Sequence, residues 1–360
     1  MKTYLCLIMC AWLPGALLGA GTFPVPALPY APLKYPCPYS SIEPRIDGDL
    51  DDPAWAAAPW SASFTDIEGS LKPAPYLDTR VKMLWNEHAF FIGARLEEPH
   101  IWAKLTEHDS VIFQDNDFEV FIDPNGDTHE YFELELNALG TLWDLFLIKP
   151  YRDAHSSLNG WEALGASYAI GLAGTLNNPA DRDTAWYVEL RLPWSLFAEM
   201  AHTPCPPRPG DYWRVNFSRV QWETEIRDGD YVKIPDKPEY NWVWSPQGLV
   251  AMHYPERWGY VFFLDNADVA NPAALQLPDK ENARQYLREV YYAQKQFWSD
   301  HGRFSSKLRD LKLSPYRQGG RSYKPRLEKT SRSYIATLAL PGFPVLVIES
   351  DGRLSEIPLP

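Results

Sequence analysis

Phe118-Glu-Val-Phe-Ile-Asp123, the turn Asp123-Pro-Asn-Gly-Asp127, and Tyr131-Phe-Glu-Leu-Glu-Leu-Asn137 set the fold class of this 360-residue chain. Apolar residues alternate with acids in both flanking runs, which is the period of a half-buried strand. Pro followed by Asn-Gly supplies the backbone angles of a tight turn. The stretch therefore reads as a β-hairpin.

Working outward, the same pattern recurs. Thr79–Trp85 and Ala89–Leu96 flank Asn86-Glu87-His88 at hairpin spacing, and Ala185–Leu192, Tyr212–Arg219 and Trp258–Leu264 add further strands. Short strands with turn signals and no intervening long helix predict a mainly β fold, an antiparallel β-sandwich over residues 42–266. The tail differs. Pro278 to Asp300 carries apolar residues at helical spacing, Ser305–Leu311 suits a short second helix, and Tyr334–Leu340, Val345–Glu349 and Leu354–Ile357 read as strands. Residues 278–360 are thus expected to form a small α+β module, a long helix plus a small sheet.

Charge divides the chain at the same place. The net charge is −13, but residues 278–360 hold 15 Lys and Arg against 9 Asp and Glu. An acidic body carries a basic tail, which excludes a chain-wide nucleic-acid footprint. The basic module suits an anionic envelope polymer, or the acidic body itself. With 45% hydrophobic and 22% charged residues, wholesale disorder is excluded.

Residues 1–21 read as a cleavable signal peptide: Lys2, an apolar run from Tyr4 to Leu18, then Gly19-Ala20-Gly21. The expected location is secreted or periplasmic. Beyond this leader no stretch approaches the ~18 apolar residues of a membrane helix. Residues 22–41 form a Pro-rich lead-in expected to lie extended along a surface. Cleavage leaves Cys37 and Cys205, both within Pro-rich segments expected in surface loops. In an oxidising compartment they are expected to pair, the alternative being two separate thiols.

Two acidic groups suit Ca²⁺, a hard cation that takes six to eight oxygen ligands. One is Asp47, Asp49, Asp51 and Asp52; the other is Asp115, Asp117, Asp123 and Asp127. Taken in order, Ile46-Asp-Gly-Asp-Leu-Asp-Asp-Pro-Ala-Trp55, Val81-Lys-Met-Leu-Trp-Asn-Glu87, Asp115-Asn-Asp-Phe-Glu-Val-Phe-Ile-Asp-Pro124 and Trp258-Gly-Tyr-Val261 resemble carbohydrate-binding module family 9 and its DOMON-like sandwich relatives. The resemblance covers roughly residues 42–264. It implies a β-sandwich that binds sugars, holds structural calcium and accompanies secreted polysaccharide-degrading systems. It also places Glu119 as a sugar-contacting carboxylate and Phe113 as one aromatic platform. The second platform falls on Met252 or His253, and a basic sugar contact falls on Glu135 or Glu133, so the aromatic clamp is altered.

A denser set of aromatic and polar residues lies late in the body: Asn216–Trp222, Asn241–Gly248 and Met252–Trp258, with Trp143-Asp144 and Gly160-Trp161-Glu162 beside them. Aromatic faces stack on pyranose C–H faces, and planar polar groups meet hydroxyls. The expected ligand set is Phe113, Glu119, Glu135, Trp143, Arg219, Trp222, Trp242, Trp244, Gln247, His253 and Arg257, with a mono- or oligosaccharide as partner. The competing reading makes these Trp residues core. Binding is expected rather than catalysis. The alternatives are glycoside hydrolysis by a carboxylate pair such as Glu133 and Glu256, and non-covalent haem on Met252 or His253.

Overall fold

The computed structural model describes residues 23–154 and 156–358; the expected signal peptide lies outside them. The strands, in chain order, begin with β1 (Lys34–Pro38), β2 (Thr65–Asp66), β3 (Thr79–Trp85), β4 (Ala89–Glu97), β5 (Asp117–Asp123), β6 (Tyr131–Asn137) and β7 (Leu142–Leu147). Next come β8 (Ser157–Leu158), β9 (Ser167–Ala173), β10 (Ala185–Pro193), β11 (Tyr212–Gln221), β12 (Thr224–Arg227), β13 (Asp230–Lys233), β14 (Tyr240–Val243) and β15 (Gly259–Leu264). The tail carries α1 (Asp279–His301), β16 (Tyr316–Gln318), β17 (Arg321–Tyr323), β18 (Arg326–Lys329), β19 (Tyr334–Leu338), β20 (Val345–Glu349) and β21 (Leu354–Ile357).

Two sheets make the sandwich. The larger runs β1-β15-β11-β5-β6-β7-β8, with β14 added on β11 and β2 on β14; the smaller runs β3-β4-β10-β9. Period-two alternation sends Phe118, Val120 and Ile122 of β5 and Phe132, Leu134 and Leu136 of β6 inward. There they meet Phe90, Ile92 and Ala94 of β4 and Val188, Leu190 and Leu192 of β10. The alternate residues of β5 and β6 face away from this core. That outer face carries the acids.

Two expectations are corrected here. The lead-in is not confined to the surface: β1 pairs in parallel with β15, and Tyr35 and Cys37 enter the core. Cys37 and Cys205 are free thiols. Cys37 sits on a strand aimed into the sandwich rather than on a loop, which removes the premise for a bridge, and burial pushes its thiol well above the usual range.

The segment from Ile46 to Trp55 clasps the outer face of the smaller sheet. Glu189 Oε2 accepts the N–H groups of Asp47 and Gly48, and Oε1 accepts Trp55 Nε1–H at 2.7 Å. Gly48, with φ +87°, lies against Gly171 so closely that a Cβ on Gly48 would stand 2.6 Å from the Gly171 nitrogen. The side chains of Asp47, Asp49 and Asp52 accept N–H groups of their own turns. The first acidic group is therefore a structural clasp.

In the tail, α1 starts with Asp279 and Glu281 in its first turn and stops at Gly302, whose N–H caps the Trp298 carbonyl at 2.8 Å. Ala283, Leu287, Val290 and Tyr291 pack on Ala336, Leu338, Leu346 and Ile348 of the sheet β18-β19-β20-β21. The expected second helix does not form. Residues 308–311 form a turn and 305–307 are irregular, and Ser305 instead bonds Gln294 and Asp310. Among the described residues no helix is long and apolar enough to cross a membrane.

Candidate functional site

The outer face of β5 and β6 has two ends, and they are built differently. At the end away from the hairpin turn, Glu119 stands directly opposite Glu135, and Ser218 of β11 flanks Glu119 on its other side. Asp117 and Glu133 lie two residues along from them on the same face. A cavity of about 230 Å³ opens above, floored by Glu119, Glu133, Glu135 and Phe121 and walled by Phe113, Trp143, Tyr151, Met252 and His253. The Phe113 and Trp143 rings lie 6.3 Å apart at 35°. Asn241, Glu239, Ile67 and Val250 form the far rim, which the cavity shares with a larger cleft of about 780 Å³ carrying Tyr76, Tyr240 and Trp242.

Four carboxyl groups at this end have no Lys or Arg within ion-pair distance among the described residues. Burial pushes Glu119 up to about 7, with Ser218 pulling down and Glu239 adding to the rise. Glu133, Glu135 and Asp117 are raised well above the carboxylate range, first by burial and then by the charge of Glu119. Burial therefore favours the protonated form of these carboxyls, which can donate as well as accept, over the charged form, which only accepts. Asp117 Oδ2, Glu133 Oε2 and the Trp143 indole nitrogen are buried atoms without a hydrogen-bond partner. One oxygen each of Asp117, Glu119 and Glu135 lies within 4.8 Å of the others, the all-oxygen arrangement a hard cation takes.

At the turn end the acids are taken. Asp123 accepts the N–H groups of Gly126 and Thr128 at 2.8 and 2.9 Å. Arg284 of α1 donates to the Gly126 carbonyl at 2.7 Å, and Arg288 donates to the Asp127 carbonyl at 3.1 Å. Arg353 pairs with Asp127 and Glu130. Beside them Arg152 pairs with Glu256 and Asp153, Lys295 with Asp153, and the Tyr292 hydroxyl donates to Glu256. The basic tail thus grips the acidic body.

This placement decides most of the expected site residues. Phe113, Glu119, Glu135, Trp143 and His253 come together around the cavity. Trp242 is nearly buried under Tyr76 at the edge of the larger cleft, with the Arg219 guanidinium 5.3 Å from its ring. Arg219 is itself buried on Glu98, Thr79 and Gln221. Trp222 donates to the Phe113 carbonyl and lies under Lys233 in a separate depression. Trp244 is sandwich core, Gln247 donates to the Met252 sulfur, and Arg257 holds the Leu28 and Pro29 carbonyls of the lead-in. Arg219, Trp244, Gln247 and Arg257 are thus placed outside the cavity, in the core or tied to neighbouring segments.

The acids Asp115, Asp117, Asp123 and Asp127 are not assembled into one group. Asp117 and Asp123 begin and end β5. Asp115 accepts from the Lys104 and Leu105 N–H groups and from Asn137, and the turn pair faces guanidinium groups. Only Asp117 joins a cation-compatible cluster. Glu256, one half of the hydrolase pair, lies in the arginine network rather than the cavity. The haem alternative finds the Met252 sulfur bonded to Gln247 and His253 Nδ1 bonded to the Tyr131 hydroxyl at 2.8 Å.

Ile67, Tyr151, Glu239, Asn241 and Val250 join the cavity without being expected in it. Asn241 lies within a stretch already singled out for its aromatic and polar residues; Tyr151 and Ile67 reach the cavity from segments that carry no sequence signal.

A β-sandwich with an aromatic-walled, carboxyl-floored cavity on the outer face of its larger sheet defines the class of molecule. Residues 46–206, somewhat under half of the chain, match the family described as carbohydrate family 9 binding domain-like, and this stretch is similar to that family. It holds Phe113, Glu119, Glu133, Glu135 and Trp143, while Asn241, Met252 and His253 come from beyond it. A structure from Bacteroides uniformis ATCC 8492, provisionally described as carbohydrate-binding, is 16% identical, with a TM-score of 0.49 over 65% of this chain and 100% of its own. A carbohydrate-binding module family 9 from Caldicellulosiruptor kristjanssonii in complex with cellotriose is 15% identical, with a TM-score of 0.42 over 68% and 98%. The same module in complex with glucose is 15% identical, with a TM-score of 0.43 over 66% and 100%. Comparison with curated proteins gives no match.

Proposed function

We propose that the cavity between Phe113, Trp143 and the Glu119–Glu133–Glu135 floor binds a saccharide, and that the protein is a binding module rather than an enzyme. One observation carries the reading. An aromatic wall with an unpartnered indole donor stands over buried carboxyls that include an unpartnered acceptor. A sugar offers an apolar C–H face and hydroxyls that both donate and accept, which meets each of these needs. The cavity's about 230 Å³ suits one sugar residue, and the adjoining cleft extends it for a longer chain. The signal-peptide-like sequence of residues 1–21 supports secretion or periplasmic location, where polysaccharide breakdown supplies such ligands. Calcium, if the site uses it, would be held by Asp117, Glu119 and Glu135. Exposed Lys and Arg of the tail, among them Arg309 and Arg326, form the surface for an anionic envelope polymer.

Calorimetric titration with a panel of neutral and acidic mono- and oligosaccharides, beginning with glucose and cellotriose, tests the reading. Trp143→Ala is expected to weaken binding about tenfold, the loss of one stacked ring. Arg257→Ala, outside the cavity, is expected to leave it unchanged. No binding across the panel, or equal binding by both variants, would sink the proposal.

A further inference from the structure

Away from the cavity, three acidic oxygens converge on one imidazole nitrogen. His108 Nε2 lies 3.5 Å from Asp109 Oδ1, 3.5 Å from Asp144 Oδ1 and 3.3 Å from Glu162 Oε2. The atoms offered by His108, Asp109 and Asp144 all lie within 4.8 Å of one another. Asp144 reaches the point from β7, and the other residues reach it from two loops.

An ion pair alone accounts poorly for this geometry. A charge-assisted N–H···O⁻ bond closes to about 2.7–2.9 Å, and a single N–H points at one oxygen. Here none of the three oxygens comes that close. Asp109 Oδ1 and Asp144 Oδ1 are buried and have no hydrogen-bond partner. The Asp144 side chain is only 1% exposed, and its second oxygen is already occupied by the Ala163 N–H. An enclosed carboxylate oxygen left unpaired is costly unless something charged meets it. A tetrahedral cation with bonds of about 2.0–2.2 Å to nitrogen and oxygen sets neighbouring ligand atoms about 3.4 Å apart. The three distances from His108 Nε2, 3.3–3.5 Å, match that spacing, and the carboxylate oxygens of Asp109 and Asp144 lie within 4.8 Å of each other.

We propose that His108 Nε2, Asp109 Oδ1 and Asp144 Oδ1 form a site for a divalent transition-metal cation, zinc in the first instance, with Glu162 or water in the fourth position. The imidazole nitrogen sets the class: calcium and magnesium take oxygen ligands, whereas zinc takes nitrogen and carboxylate together. The ion would tie the His108–Asp109 loop and the Glu162–Ala163 loop to β7, one residue from Trp143. The proposal stands independently of the saccharide reading.

The test uses the untagged full chain, stripped with a chelator and titrated with ZnCl₂ by calorimetry and thermal unfolding. One zinc per chain and a raised unfolding midpoint are expected. His108→Ala is expected to weaken zinc binding by about tenfold or more while leaving the metal-free midpoint in place, because the ring is half exposed. Asp109→Asn gives the same readout from a second ligand, and CaCl₂ is expected to act alike on wild type and His108→Ala. Absence of zinc binding, or zinc affinity unchanged in both variants, overturns the site.

Discussion

The two ends of the β5–β6 outer face contain the same kind of residue in opposite circumstances. At the turn end, Arg353 pairs with Asp127 and Glu130, Arg284 and Arg288 hold the turn carbonyls, and alongside, Arg152 and Lys295 meet Asp153 and Glu256. At the other end, Asp117, Glu119, Glu133 and Glu135 line or adjoin a cavity with no Lys or Arg partner among the described residues, their protein partners being neutral: the Val220 N–H on Asp117, Ser218 on Glu119 and the Phe113 N–H on Glu135. Counting acids along the sequence cannot distinguish these cases. What separates them is α1, more than 140 residues downstream of the hairpin, whose basic face covers one end and leaves the other open. Buried acids with guanidinium partners are architecture. Buried acids without them mark the place where a ligand supplies the missing partner.

The largest expected effect breaks the covered end. Arg152→Ala leaves Glu256 buried without its paired counter-charge, while Asp153 keeps Lys295, and breaking a buried pair costs about 3–5 kcal/mol. Urea unfolding at neutral pH measures it, and a loss under about 1 kcal/mol would show the network to be incidental. The pH sign follows from Glu256. Burial alone would raise its carboxyl, but Arg152 and Arg288 hold it below the usual range. Its stabilisation is therefore present above the ordinary glutamate range and lost as pH falls through the depressed value. Arg152→Ala should flatten that acid-side slope.

The open end should behave in the opposite way. Glu119 is pushed up to about 7, so its folded form holds a proton that the unfolded chain releases nearer 4.5. It destabilises progressively as pH rises between these values and fully above them. Glu119→Gln is expected to remove that slope, giving a protein at least about 1 kcal/mol more stable than wild type at pH 8 and nearly equal at pH 4. Urea unfolding at the two pH values checks this. A variant less stable at both would mean that the Ser218 hydrogen bond to Glu119 outweighs the cost of burying its charge. One acid at the covered end shares this behaviour: Asp123, behind the turn, is also raised to about 7 by burial and by Asp127, against the pull of Thr128, Gly126 and Arg288.

This contrast also marks where sequence reading stops. Alternation made β3, β5 and β6 legible almost to the residue, because one face of each is apolar and period two leaves no other register. The helix expected from Pro278 is α1, since its apolar stripe and Gly302 stop signal are local. The open end was partly legible: Phe113, Glu119, Glu135, Trp143 and His253 share one cavity. The late aromatic cluster was not. Trp244 and Arg257 look like binding residues because burial depends on what packs over them, and β1 and the lead-in pack there from the other end of the chain. Cys37 misleads for the same reason: Pro on both sides reads as a loop, yet β1 lies at a sheet edge, where proline is tolerated.

The smallest expected effect sharpens the comparison most cheaply. Asp123-Pro-Asn-Gly-Asp127 has the composition of a calcium loop, and its arginine contacts argue that no calcium belongs there. Asp127→Asn keeps a side-chain oxygen to accept the His129 N–H, now bonded at 2.7 Å, and removes only the charge facing Arg353. That pair is 3.2 Å long, and Arg353 is 41% exposed, so the loss should be about 0.5–1 kcal/mol. If guanidinium groups fill the loop, added CaCl₂ shifts the unfolding midpoint of wild type and Asp127→Asn equally. If calcium competes for the turn, the wild-type shift exceeds that of the variant, and the covered end would then be a metal site that the arginines only partly occupy.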